Sequence, residues 1–106
     1  MYIYKAAVLG AGIMGAEIAQ VITYSGLPVI LKDVNDEAVQ KGIAKVRKIY
    51  QERVDKGKMT STEMEQKLAL ISGATTFNDF GDVDIVIEAV PEDMKIKQKV
   101  FQELEK

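Results

Sequence analysis

Hydrophobic positions along the 106-residue chain change their period in a fixed order. Lys5 to Leu9 contains the unbroken apolar run Ala6-Ala7-Val8-Leu9, the pattern of a parallel strand buried on both faces. From Ile13 to Ser25 the apolar positions Ile13, Met14, Ile18, Val21 and Ile22 recur at helical spacing, and Gly26 stands where a C-terminal cap belongs. Pro28-Val29-Ile30-Leu31 opens a second β-rich run that ends at Lys32-Asp33. Asp36 is the expected N-cap of a long helix, about Glu37 to Lys56, with an apolar stripe of Val39, Ile43, Val46, Ile49, Tyr50 and Val54 and Gly57 as its stop. Thr60-Ser61-Thr62-Glu63 has the form of a capping box, and Met64, Leu68 and Ile71 fall on one side of the shorter helix it opens. Ser72 to Phe77 is a short β-prone segment, followed by a polar loop from Asn78 to Asp82. Asp84-Ile85-Val86-Ile87-Glu88-Ala89-Val90 carries the strongest strand pattern in the chain. Pro91-Glu92-Asp93-Met94 reads as a further helix start, with Ile96, Val100, Phe101 and Leu104 turned inward.

Strands alternating with helices predict an α/β fold with a parallel sheet. Right-handed crossovers place the Asp84–Val90 strand beside the first, on the side away from the second, giving the order 3-2-1-4. The reversal of direction between strands one and four forms a crevice at their C-terminal ends. A simple Rossmann-type sheet returns from strand two with one helix; the two helices after Asp33 therefore form an inserted hairpin. Glu88, a carboxylate inside the fourth strand, is costly to bury alone and should reach the crevice rim or meet a partner.

Gly10, Gly12 and Gly15 punctuate the turn between the first strand and the first helix in the spacing G-x-G-x-x-G. Each has its own task at a phosphate: Gly10 allows a tight turn, Gly12 admits a pyrophosphate to bare backbone, and Gly15 lets helix and strand pack closely. Asp33 ends the second strand about 20 residues further on, where a carboxylate accepts hydrogen bonds from ribose hydroxyls and repels a 2′-phosphate. Strand, turn, helix, strand and acid together specify an NAD-type turn.

Composition narrows the chemistry. The chain is 47% hydrophobic and 28% charged with a net charge of −2, the profile of one globular domain that does not bind nucleic acid through bulk charge. No apolar run approaches a membrane span, and the N-terminus lacks the profile of a secretion signal, so a cytoplasmic chain is expected. Cysteine and histidine are both absent, which excludes thiolate metal sites and removes the side chain best suited to proton transfer near neutral pH. The hairpin carries Lys41, Lys45, Arg47, Lys48, Arg53 and Lys56. They form either a solvated face or an attractor for a polyanionic ligand such as coenzyme A, with Arg53 as the candidate substrate contact.

On the glycine turn, Lys32-Asp33-Val34-Asn35, and the run from Ile87-Glu88-Ala89-Val90-Pro91-Glu92-Asp93 to Lys97-Gln98-Lys99, the whole chain resembles the NAD-binding domain of the L-3-hydroxyacyl-CoA dehydrogenases. It is most similar to the dehydrogenase region of the multifunctional fatty-acid oxidation enzymes, which carry the Ile-Met-Gly turn and a segment like Lys56-Gly57-Lys58. The resemblance also accounts for the hairpin. It implies NAD as cofactor, cradled by the backbone of Gly10, Ala11, Gly12, Ile13, Met14 and Gly15, with Asp33 on the adenosine ribose. Val90, Pro91 and Glu92 would pass under the nicotinamide ribose, with Glu92 and Lys97 as polar contacts; Pro91 replaces a commoner apolar residue and removes an N–H there.

The family's catalytic histidine, its orienting glutamate and the serine and asparagines near the substrate carbonyl have no counterparts here. The expectation is therefore the N-terminal part of a nucleotide domain over residues 1–106, catalytically silent alone, with acyl-CoA as the substrate of the longer protein. Self-association through an unpaired edge of the fourth strand, or through the hairpin, is expected as well. Two alternatives stand beside this reading: a stand-alone dinucleotide-binding or redox-sensing module, and another Rossmann dehydrogenase of the 3-hydroxyisobutyrate type.

Overall fold

The computed structural model describes residues 4–90 and the strand at 93–98. Its elements are β1 (Ala6–Leu9), α1 (Ile13–Tyr24), β2 (Val29–Lys32), α2 (Asp36–Asp55), α3 (Ser61–Leu68), β3 (Ile71–Ala74), β4 (Ile85–Val90) and β5 (Asp93–Gln98). They build a five-stranded sheet in the order β3-β2-β1-β4-β5. The first four strands are parallel, with Ala6 opposite both Val29 and Ile85, and β5 runs antiparallel to β4. The expected order 3-2-1-4 is thus present, with the hairpin α2–α3 inserted between β2 and β3.

Alternation along the strands sorts the core into two layers. Ala6 and Val8 of β1 and Val29 and Leu31 of β2 pack with Ala16, Ala19, Val46, Tyr50, Met59 and Met64 from the helical side. Ala7, Ile30 and Val86 face the opposite way and meet Phe80 and Val83, which come from the loop before β4. Among the described residues the helices cover one face and this loop covers the other. Turns within the loop, from Phe80 N–H to Phe77 O and from Val83 N–H to Phe80 O, press its two apolar side chains onto the sheet.

Two features seat the hairpin on α1 and on the turn that precedes it. Thr23 and Tyr50 bring their hydroxyl oxygens to 2.7 Å in the buried α1–α2 seam, and the Tyr50 hydroxyl also donates to Gln20 O at 3.0 Å. At Gly42 of α2, an added Cβ would come within 2.6 Å of the Ala11 Cβ and 2.7 Å of the Ala11 oxygen. Glycine there allows α2 to approach the turn after β1. The expected capping box at Thr60 is formed in full, with Thr60 Oγ1 accepting from Glu63 N–H and Glu63 accepting from Thr60 N–H.

Three local expectations are corrected. Asn35, not Asp36, caps α2: its Oδ1 accepts the Ala38 N–H at 2.8 Å, and Asp36 begins the helix, where its charge complements the helix dipole. Ile71 begins β3 instead of closing the apolar side of α3, because α3 stops at Leu68 and the chain returns at once to the edge of β2.

The helix expected from Pro91 is, over Asp93–Gln98, the strand β5. Sequence alternation there, apolar Met94 and Ile96 between charged or polar Asp93, Lys95 and Lys97, suits a strand as well as a helix. The outer edge of β4 supplies a row of backbone donors and acceptors that only a strand can satisfy. That edge is consequently paired and not exposed, contrary to expectation. The remaining expected core positions of that helix, Val100, Phe101 and Leu104, lie outside the described residues, as do Pro91 and Glu92.

Candidate functional site

The site begins where β1 runs out. Gly10 has φ +103°, in the left-handed region, and donates its N–H to Lys32 O at the end of β2 at 2.8 Å. A Cβ on Gly10 would come within 2.5 Å of the Ala89 oxygen on β4. Gly10 is therefore wedged between the C-terminal ends of β2 and β4, at the crevice that the strand order creates. Ala11 follows, buried, with its N–H donating to Asp33 Oδ2 at 2.8 Å.

Gly12 is the N-cap of α1 and offers no capping side chain, and the first turn of the helix holds no acid. The first hydrogen bond of α1 runs from Ala16 N–H to Gly12 O. Among the described residues, the N–H groups of Ile13, Met14 and Gly15 therefore have no protein acceptor, and the positive end of the helix dipole is open. Nothing lies within 4 Å of the position a Gly12 Cβ would take, so an anion can approach the backbone there. A Cβ on Gly15 would overlap the Gly10 oxygen, with Val8 Cγ1 at 3.5 Å behind it. The glycine at 15 thus lets α1 start directly on top of the turn.

These groups face a cleft of about 570 Å³ that includes Gly10, Gly12, Ile13, Met14, Gly15 and Asp33 in its walls. Asp33 is in the same wall, with Oδ1 accepting the Val34 N–H at 2.7 Å while Oδ2 holds Ala11. A carboxylate oxygen has two lone-pair sites, so each retains acceptor capacity towards a ligand hydroxyl. At the mouth, the Ile13 side chain is 69% exposed and that of Met14 38% exposed. The donor set fits a dinucleotide: free N–H groups suited to a pyrophosphate, an unobstructed glycine, and a carboxylate suited to ribose hydroxyls.

The structure thus brings together Gly10, Ala11, Gly12, Ile13, Met14, Gly15 and Asp33. Val90 ends β4 at the same edge of the sheet. Lys97 is placed differently from expectation, because β5 carries its Cα opposite Val86, well back from the crevice end of β4. Glu88 is half-buried and has an interaction partner, the second of its two expected outcomes. Sequence reasoning missed Glu17 and Ala89, which also line the cleft, and Gly42 behind it. Glu17 lies one helical turn beyond Ile13 and was recoverable from spacing; Ala89 acquires meaning only once β4 is set against β1.

Arg53 lies apart from this cleft. Its guanidinium sits 4.9 Å from the Tyr24 ring centroid, and it lines a groove of about 240 Å³ with Ile49, Glu52, Lys56 and Lys58. The other hairpin cations divide. Lys41 pairs with Glu37 and Arg47 with Glu65 across to α3, as on a solvated face. Lys45 and Lys48 line a groove between α1 and α2 that shares Ile13 and Glu17 with the cleft.

A family model described as 3-hydroxyacyl-CoA dehydrogenase, NAD binding domain, matches residues 5–106. The chain belongs to this family. Its cofactor is accordingly NAD, and membership sets aside the hydroxyisobutyrate-type alternative. A glyoxysomal fatty acid beta-oxidation multifunctional protein of Cucumis sativus is 45% identical over 104 residues, covering 98% of this chain and 14% of the relative. The fatty acid oxidation complex subunit alpha of Pseudomonas entomophila is 46% identical over 101 residues, 95% of this chain and 14% of that protein. Among solved structures, the (S)-3-hydroxybutyryl-CoA dehydrogenase of Ralstonia eutropha superposes with a TM-score of 0.81 at 40% identity, over 87% of this chain and 32% of that one. This NAD-binding domain therefore spans a small part of the length of the proteins it matches. Among its described residues, no helix is long and apolar enough to cross a membrane.

Proposed function

We propose that this chain holds the adenosine and pyrophosphate portions of NAD as the first part, residues 1–106, of the nucleotide domain of a 3-hydroxyacyl-CoA dehydrogenase. The observation that carries the proposal is the uncapped N-terminus of α1 at Gly12, open to a cleft that Asp33 also lines. The N–H groups of Ile13, Met14 and Gly15 would hold the pyrophosphate, and the Asp33 carboxylate would accept from the adenosine ribose hydroxyls. The backbone from Val90 through Pro91 to Glu92 would continue towards the nicotinamide ribose. When bound, NAD⁺ accepts a hydride from C3 of a (3S)-3-hydroxyacyl-CoA, leaving the 3-oxoacyl-CoA. This chain orients the cofactor for that step, and the group that takes the hydroxyl proton lies outside it, so residues 1–106 alone are catalytically silent.

In the longer protein, Arg53, with Lys56 and Lys58 around the same groove, would attract the phosphates of the acyl-CoA. The cytoplasm is the proposed compartment. Self-association is retained as part of the proposal through the hairpin or an outer sheet edge, the edge of β4 itself being taken by β5.

Calorimetric titration with NAD⁺ and NADP⁺ tests the cofactor assignment. NAD⁺ should bind at least about tenfold more tightly, because the Asp33 carboxylate repels a 2′-phosphate, and Asp33→Ala should collapse the preference. Equal affinities in the wild-type chain, or no binding of either nucleotide, would overturn it.

A further inference from the structure

Asp33 makes a contact that binding a ribose does not require. Its Oδ2 accepts the Ala11 N–H at 2.8 Å, from the residue between the first two glycines of the turn. Its Oδ1 accepts the Val34 N–H at 2.7 Å, and its own N–H donates to Ala74 O on β3 at 3.2 Å. The carboxylate is therefore fixed by two backbone donors before any ligand arrives. Ala11 is fixed as well, for it is 3% exposed and its Cβ and oxygen lie against α2 at Gly42. One side of Ala11 is held by packing and the other by Asp33.

From this arrangement we infer that Asp33 is a positioning residue for the phosphate turn, in addition to its proposed contact with the adenosine ribose. The inference rests on the cofactor reading above and adds a second task to the same side chain. The Ala11 peptide is the link between Gly10, whose φ is +103°, and Gly12, which caps α1. Holding its N–H towards β2 sets the rotation of that peptide and so the direction in which the N–H groups after it face. Without an acceptor at position 33, the buried Ala11 N–H loses its partner and the turn loses the constraint.

The arrangement also bears on cofactor selectivity. A carboxylate close to a pyrophosphate is electrostatically unfavourable, yet here it organises the donors that bind that pyrophosphate. Exchanging Asp33 for a small neutral residue to admit a 2′-phosphate therefore removes repulsion and loosens the phosphate site in the same step.

The test separates the two tasks by comparing ADP with 2′,3′-dideoxy-ADP, which keeps the pyrophosphate and lacks both ribose hydroxyls. Asp33→Asn and Asp33→Ala are both neutral, so their difference is free of the charge effect; asparagine keeps one acceptor oxygen for the Ala11 N–H while its NH2 leaves the exposed Val34 N–H to water, and alanine keeps neither acceptor. The full chain should bind dideoxy-ADP about fivefold to tenfold more weakly as Asp33→Ala than as Asp33→Asn, the effect of one hydrogen bond. Equal affinity of the two variants for dideoxy-ADP would overturn the inference and leave Asp33 a ribose ligand alone. Amide hydrogen exchange at Ala11 gives a readout that needs no nucleotide, with protection expected in the wild type and Asp33→Asn and exchange about tenfold faster in Asp33→Ala. Equal protection in all three would likewise overturn it. If the wild type binds neither nucleotide, the cofactor reading fails, and the Ala11 exchange rates still decide the positioning role.

Discussion

The Tyr50 hydroxyl is fully buried between α1 and α2, among Thr23 Oγ1 at 2.7 Å and Gln20 O at 3.0 Å. Thr23 Oγ1 also lies 3.0 Å from Ala19 O and from Gln20 O, so two hydroxyl protons are shared among these oxygens. Burial raises the Tyr50 pKa above its ordinary 10.0, against the opposing effect of the Thr23 and Gln20 side chains and of the nearby Arg53 charge. A raised pKa means that the folded state holds the proton more tightly than the unfolded chain does. The linked stability is fully present below pH 10.0 and is lost as pH rises towards the higher folded value. Tyr50→Phe should cost about 1 kcal/mol at neutral pH, and the gap to wild type should shrink above about pH 10. Urea unfolding of both proteins between neutral and strongly alkaline pH measures it; a gap that stays constant counts against the linkage. Helical spacing put Tyr50 on the correct face, but nothing local in the sequence points to Thr23 as the partner of its hydroxyl. Asp33 is a similar case, since its position follows from the motif while its bond to Ala11 depends on how the turn folds back.

At the scale of elements, the hairpin was legible because a continuous apolar stripe, a stop at Gly57 and a capping box are local signals. The reason it packs so near the cleft was not. Glycine inside an exposed helix is about 1 kcal/mol worse than alanine, so Gly42 in α2 reads as a defect until its neighbour is known. That neighbour is Ala11, and Gly42→Ala should therefore reverse the usual sign. The variant should lower thermal stability and weaken NAD⁺ binding about tenfold or more by displacing the turn. Differential scanning calorimetry with nucleotide titration checks both effects; a stabilised variant with intact affinity would refute the close approach. The strand β5 illustrates the opposite difficulty. Proline and acidic residues at 91–93 are honest local signals for a helix start, whereas the demand for a partner along β4 is made by a strand whose place is known only after the sheet is assembled.

For the molecule as a whole, the sheet order could be read from the alternation of patterns, because handed crossovers leave few arrangements. The one-sided distribution of helices among the described residues could not, since Ala6-Ala7-Val8-Leu9 is apolar towards both layers and does not say what covers each. Centrality has a further consequence in β1. β1 is completed on one side by β4, far from it in sequence, with Ala6 pairing to Ile85 and Asp84 Oδ2 receiving the N–H groups of Tyr4 and Lys5. The wall of the cleft at Ala89 belongs to β4 as well. During synthesis or refolding, β1, α1, β2 and the hairpin can assemble early from contacts between neighbours in sequence. The turn at Gly10 acquires its final backing only when β4 has docked against β1, the slow, high-contact-order step. In stopped-flow refolding, helical signal should therefore precede recovery of nucleotide binding, so that the phosphate turn becomes competent only after β4 has docked beside β1.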